Sequence, residues 1–138
     1  MPAKDLYHNN VISALSKDGW TITDDPLKLK WRSRKMYVDI GAERLIAAEK
    51  DKQKIAVEVK SFLSKSGMED LEDALGQYIL YHDVLQELEP DRILYLAIRK
   101  YVYDELFLDE VGSLLLKNKR LRLIVFDANA EEILQWIP

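Results

Sequence analysis

Met36-Tyr37-Val38-Asp39-Ile40-Gly41-Ala42-Glu43, followed after a polar turn by Ile55-Ala56-Val57-Glu58-Val59-Lys60-Ser61-Phe62, is the stretch on which the fold turns. Side chains alternate along a strand, so Glu58 and Lys60 project from one face while Val57, Val59 and Ser61 project from the other. Charged groups set among residues that read as buried are costly unless paired or used. An Asp on the preceding strand adds to that cost. Two carboxylates about 5 Å apart repel by roughly 3 kcal/mol at an effective dielectric near 20, or about two pKa units. A divalent cation removes the repulsion, and an all-oxygen site suits Mg²⁺ or Mn²⁺. The competing reading is a cross-strand salt bridge on a half-solvated hairpin. An E-x-K triplet alone decides nothing; Asp39 upstream and Ile55, Val57 and Val59 around the triplet favour chemistry.

Asp followed by Glu-x-Lys is the constellation of metal-dependent PD-(D/E)xK nucleases, which this stretch resembles. The resemblance implies Asp39 and Glu58 as metal ligands, with Lys60 acting on water and phosphate. A hairpin turning at Asp51 and Lys52 would pair Glu43 with Lys60 and Leu45 with Glu58, leaving Asp39 further along the ladder. In that register either Gly41 forms a bulge that re-aims Asp39, or Glu43 is the better ligand. Asp39 is preferred and both are retained.

The 138 residues form one domain, large enough for a core without staples. A hydrophobic fraction of 48% and a charged fraction of 32% are those of an ordinary globular chain. With no cysteine there is no disulfide, thiol chemistry or cysteine-based zinc site. The N-terminus lacks a signal-peptide core and no apolar run approaches a membrane span, so a bacterial-style cytoplasmic protein is expected. A net charge of −4 means that nucleic-acid binding needs a local basic patch.

Asp5–Lys17 reads as the first helix, with Leu6, Val11, Ile12 and Leu15 on one side and Gly19 beyond its end. Asp5 is an N-cap or first-turn acid, or an additional acidic group near the metal. His8 reads as a surface histidine. Trp20–Thr23 is a short strand closed by Asp24-Asp25-Pro26. Residues 27–35 hold five basic residues and no acid: Lys28, Lys30, Arg32, Arg34 and Lys35. As one extended segment they would form a basic ribbon opposite Leu27, Leu29 and Trp31, ready for a phosphate backbone. Equally, they would protect an edge strand from aggregation.

Ser66-Gly67-Met68-Glu69 is a capping box that opens a helix from about Gly67 to Leu88. Gln77 and Tyr81 lie one turn apart on it, and His82 reads as packed or solvated. Arg92–Ile98 has the apolar run of a central strand. A helix over Val102–Leu116 and two strands, Leu121–Phe126 and Glu132–Trp136, complete the chain. The expected fold class is α/β, a mixed β-sheet flanked by α-helices, which matches the core of the restriction-endonuclease-like fold. Gln77-x-x-x-Tyr81 is similar to the pattern following the E-x-K strand in RecB-like nucleases, which implies that Gln77 supports the site.

Nearly the whole chain resembles the XisH family, the fdxN element excision controlling factors of cyanobacteria. The likeness rests on Lys4-Asp5-Leu6-Tyr7-His8, Val38–Glu43, Ile55–Phe62, Gly76-Gln77-Tyr78, Arg92–Ala97 and the terminal Ile133-Leu134-Gln135-Trp136. The resemblance implies programmed DNA excision beside a site-specific recombinase, with a small XisI-like partner protein. It names a process and leaves two readings. One is an Mg²⁺- or Mn²⁺-dependent endonuclease using Asp39, Glu58, Lys60 and Gln77. The other is a non-catalytic factor that binds DNA or a partner. A homodimer is left open.

Overall fold

A computed structural model describes residues 4–46 and 52–138. Six strands form one sheet in the order β1-β4-β5-β6-β7-β8, and two more form a separate hairpin, β2-β3. In chain order the elements are α1 (His8–Lys17), β1 (Thr21–Asp24), β2 (Leu27–Trp31), β3 (Arg34–Val38), β4 (Ile40–Leu45) and β5 (Lys52–Val59). Then come α2 (Gly67–Leu88), β6 (Arg92–Arg99), α3 (Lys100–Leu106), α4 (Val111–Lys117), β7 (Leu123–Asp127) and β8 (Glu132–Ile137). β5, β6 and β7 are parallel to one another, and the outer pairs are antiparallel. The mixed sheet flanked by helices is the α/β architecture expected. No helix among the described residues is long and apolar enough to cross a membrane.

The sheet is apolar on both faces because it is covered on both. Val11 and Leu15 of α1 pack with Trp20, Ile40, Ala42, Ile55, Val57, Val59, Tyr95, Ala97, Ile124 and Phe126 on one side. On the other side, Leu71, Ala74, Tyr78, Val84 and Leu85 of α2 pack with Ala56, Leu94, Leu96 and Ile98, and with Leu27, Leu29 and Val38 of the hairpin. The alternation of β5 is visible in this division: Ile55, Val57 and Val59 face α1, and Ala56 faces α2. α2 starts where the capping box places it, with Ser66 Oγ accepting from the Glu69 amide at 3.2 Å. Its carboxylates at Glu69 and Asp70 in the first turn complement the helix dipole.

Several local expectations are corrected. α1 begins at His8, because Asp5 Oδ1 accepts from the Tyr7 amide and holds the preceding residues in a turn. Residues 27–35 are a hairpin rather than one extended ribbon. The chain reverses at Arg32 (φ 54°), which places Lys30 opposite Lys35 and Trp31 opposite Arg34. Met36–Glu43 is not one strand either. It breaks at Asp39, with Val38 buried on the α2 side and Ile40 on the α1 side. The β4–β5 ladder pairs Glu43 with Lys54 and Ile40 with Val57 instead of the expected partners. Lys52 lies in β5 and Asp51 lies outside the described residues. The helix expected over Val102–Leu116 is two helices, α3 and α4, separated around buried Phe107 and left-handed Asp109.

Gly41 does not bulge to turn Asp39. It makes room: a Cβ there would lie 2.9 Å from Asp24 Oδ2 and 3.3 Å from Arg92 Nη1. The irregularity in the sheet at this point lies in the β1–β4 ladder, between Ile22 and Asp24.

One buried hydroxyl ties α2 to the sheet. Tyr78, 3% exposed, donates to the Leu94 carbonyl at 2.9 Å and accepts from the Arg122 amide at 3.1 Å. Tyr78→Phe leaves both backbone groups without this partner and is expected to cost about 1–3 kcal/mol in urea unfolding. A loss below about 0.5 kcal/mol would show that the hydroxyl is not a structural tie.

Candidate active site

Asp39, Glu58, Val59, Lys60 and Gln77 line one cavity of about 190 Å³ together with Asp5, Tyr37 and Tyr81. It opens at the carboxyl end of β5, where open α/β sheets commonly place ligands. The observed register supplies the reason. With Ile40 opposite Val57, the chain break at Asp39 falls beside Glu58. Two reciprocal hydrogen bonds fix the pair: the Asp39 amide donates to Glu58 Oε1 at 3.1 Å, and the Val59 amide donates to Asp39 Oδ2 at 2.7 Å. Each carboxylate therefore has one oxygen held by the other strand's backbone. Lys60 Nζ lies 3.6 Å from Glu58 Oε2.

The electrostatics follow from burial. Glu58 is 5% exposed. Desolvation and, next, the neighbouring Asp39 charge push its carboxyl up to about 8, against the opposing pull of Lys60. Asp39 is also raised by desolvation, opposed by the Val59 amide, the contact with Glu58 and the charges of His8 and Lys60. Burial raises the half-buried Tyr81 hydroxyl, and the charges of Glu58 and Asp39 raise it further. Without a cation, the pair is thus held together by backbone amides and carries a proton well above the ordinary carboxylate range.

The loop leaving β5 is pinned on both sides. The Lys60 amide donates to the Ala97 carbonyl at 3.1 Å and the Ser61 amide to Asp5 Oδ2 at 3.0 Å. Arg99 Nη2 donates to the Ser61 carbonyl at 2.9 Å. Phe62 then takes a left-handed conformation, φ 53°, which is uncommon for a large side chain. Asp5 lines the cavity, yet both its oxygens accept backbone amides, from Tyr7 and Ser61. It anchors α1 to the site strand.

Glu43 does not join the group. It faces Lys54 across the ladder, lies 3.4 Å from Lys52 Nζ, and lines a separate cavity with Gly19, Thr21, Arg44, Leu45 and Lys52. His8, expected at the surface, is 3% exposed, with Nε2 2.7 Å from Asp25 Oδ1. His82 is exposed and stacks on Tyr78. Lys28, Lys30, Arg32, Arg34 and Lys35 are all exposed on the β2–β3 hairpin. Tyr37 was not singled out from sequence, although its place two residues before Asp39 puts it on the same side of an extended chain.

Among the described residues no group of three His, Cys, Asp or Glu side chains is gathered as for a metal. The chemistry of the donor set, two carboxylates and no softer ligand, nevertheless fits Mg²⁺ or Mn²⁺. Mg²⁺ sites commonly use one or two carboxylates and leave the remaining positions to water and substrate phosphate.

A family model described as XisH protein matches residues 1–134. Two solved structures are similar over their whole length. One is a fdxN element excision controlling factor protein from Anabaena variabilis, 42% identical, with TM-score 0.85, covering 98% of this chain and 100% of that one. The other is an XisH family protein from Nostoc punctiforme PCC 73102, 39% identical, with TM-score 0.85, covering 97% of this chain and 100% of that one. No curated protein matches the sequence.

The raised carboxyl makes a signed prediction for metal-free buffer. Folding lifts Glu58 from 4.5 to about 8, so between those values the native state keeps a proton that the unfolded chain has lost. The associated stability is complete below about pH 4.5 and disappears as pH rises through about 8. Glu58→Gln, neutral and still able to accept from the Asp39 amide, should gain steadily on the wild type between pH 5 and 8.5, by up to about 4 kcal/mol for a shift of that size. Melting curves in EDTA measure this, and parallel pH profiles for the two proteins would contradict it.

Proposed function

The chain belongs to the XisH family of element excision controlling factors, and from that premise we propose that it is a divalent-metal-dependent DNA endonuclease of PD-(D/E)xK type. The observation that carries the reading is the Asp39–Glu58 pair, Glu58 buried and Asp39 half-buried, fixed by backbone hydrogen bonds with the Lys60 ammonium beside it. A structural salt bridge would need one carboxylate. A second, held next to the first at the floor of a cavity, raises the energy of the metal-free state.

Asp39 and Glu58 would hold Mg²⁺ or Mn²⁺. When bound, the cation supplies Lewis acidity at a phosphoryl oxygen and offsets charge that develops during phosphodiester cleavage. Lys60 brings an ammonium to the same point, where it stabilises negative charge on the phosphate or orients the attacking water. The pinned loop fixes the Lys60 backbone, so the ammonium is positioned before substrate arrives. Gln77 and Tyr81, from one face of α2, close the cavity and contribute polar groups that can orient water or phosphate. The exposed hairpin residues Lys28, Lys30, Arg32, Arg34 and Lys35 supply phosphate contacts beside it.

The net charge of −4 favours a second reading. On this reading the one basic hairpin is not enough, and other components bring the chain to DNA. In that case the fold serves as an accessory factor directing a site-specific recombinase, together with a small XisI-like protein.

The test is metal-dependent cleavage of supercoiled, linear and branched DNA beside Lys60→Ala and Asp39→Asn. Loss of a charge-stabilising group is expected to lower the rate by about 10²–10³-fold or more, with both variants still folded. Undiminished cleavage by a folded Lys60→Ala variant would remove that lysine from the mechanism. No cleavage by any of the proteins, with or without a candidate partner, would leave the accessory reading.

A further inference from the structure

The candidate site is charged asymmetrically. Its cavity shares Asp5 and Lys60 with a neighbouring cavity of about 290 Å³, lined also by Ser61, Phe62, Leu63, Ser64, Asp70, Asp73 and Ala74. One stripe of α2 borders both: Asp70, Asp73 and Ala74 on the second, Gln77 and Tyr81 on the first. That end is acidic, with Asp5, Asp70 and Asp73 around a single lysine, Lys60. Beyond Tyr37, which lines the first cavity and not the second, the hairpin is basic. Tyr37 pairs with Lys28 across the β2–β3 hairpin, and Lys30 pairs with Lys35 two positions further out. Directly opposed and alternate positions share a face of a hairpin. Lys28, Lys30 and Lys35 therefore form a row on the face of Tyr37, all three exposed. The other face of the hairpin carries Leu27, Leu29 and Val38 into the core.

Resting on the endonuclease reading above, we infer that the substrate of this site is a single DNA strand, or an unpaired segment of one, rather than intact duplex. One row of three lysines matches one phosphate backbone. A duplex brings a second backbone alongside the first, and the acidic residues of the adjoining cavity repel it. Tyr37 and Tyr81, both lining the small cavity, offer aromatic surface to a base. Stacking of this kind is available to an unpaired base and not to one held within a duplex. The same arrangement explains how a chain of net charge −4 engages DNA at all: the favourable field is confined to one track.

The experiment is fluorescence anisotropy of the full chain in Ca²⁺ with a labelled oligothymidylate and with a blunt duplex of equal length. Single strand is expected to bind at least roughly tenfold more tightly than duplex, with a log–log salt slope between about −2 for the three lysines and about −3.5 if Arg32 and Arg34 also reach phosphate, at roughly 0.7 each. Tyr37→Ala should weaken single-strand binding by roughly fivefold or more. Lys30→Glu/Lys35→Glu should abolish it. Asp70→Asn/Asp73→Asn, which keeps the Asp70 acceptor used by the Ser64 amide, should raise duplex affinity and narrow the preference. Circular dichroism checks that each variant is folded. Duplex bound as tightly as single strand overturns the inference and leaves the endonuclease reading standing. Absence of binding to either form at low salt overturns both.

Discussion

Two carboxylates that repel one another are held side by side by backbone amides of the facing segments, and the rest of the molecule is arranged around that constraint. The Asp39 amide serves Glu58, and the Val59 amide serves Asp39. Neither bond is available in a continuous strand pair, because each needs the chain to break at Asp39. The break is enforced by packing: Val38 belongs to the core under α2 and Ile40 to the core under α1. Burial of apolar neighbours on both sides, not an interaction between the acids, sets their spacing. The raised Glu58 carboxyl is the electrostatic cost of that geometry.

The sequence showed that Glu58 and Lys60 project to the same side, where α2 starts, and that the sheet is covered on both sides. These are period-two, capping and composition signals, and each is local. Register was not legible for a specific reason. The expected β4–β5 pairing and the observed one differ by an even number of residues, since Glu43 moves from Lys60 to Lys54. An even slip keeps every side chain on its face, so hydrophobic alternation cannot detect it; only an odd slip would expose the core. With register hidden, Glu43 stood as a rival ligand to Asp39. The ladder removes it from the cavity and seats it beside Lys52.

The basic segment shows the opposite limitation. Its alternation suggested a straight ribbon, but a ribbon would have placed Arg32 and Arg34 with Lys28 and Lys30. The reversal at Arg32 depends on a left-handed residue with no glycine to announce it. What emerges is a compact hairpin whose buried face helps build the core and whose exposed face carries Lys28, Lys30 and Lys35 beside Tyr37. Likewise α3 and α4 read as one helix, because the buried Phe107 that separates them is an acceptable helical residue in isolation. Tertiary packing overrides propensity at both points. His8 is a third case: its burial against Asp25 comes from contact between segments that no local pattern reports.

Under the proposed function the Asp39–Glu58 pair receives a divalent cation. Isothermal titration of Mn²⁺ near pH 7, repeated in buffers of different ionisation enthalpy, tests it most directly. A carboxyl that retains its proton in the free protein must lose it when a cation binds. Saturable binding that releases up to about one proton is expected, with both the heat and the proton release lost in Glu58→Gln. Absence of Mn²⁺ binding, or binding without proton release that survives Glu58→Gln and Asp39→Asn, would contradict it.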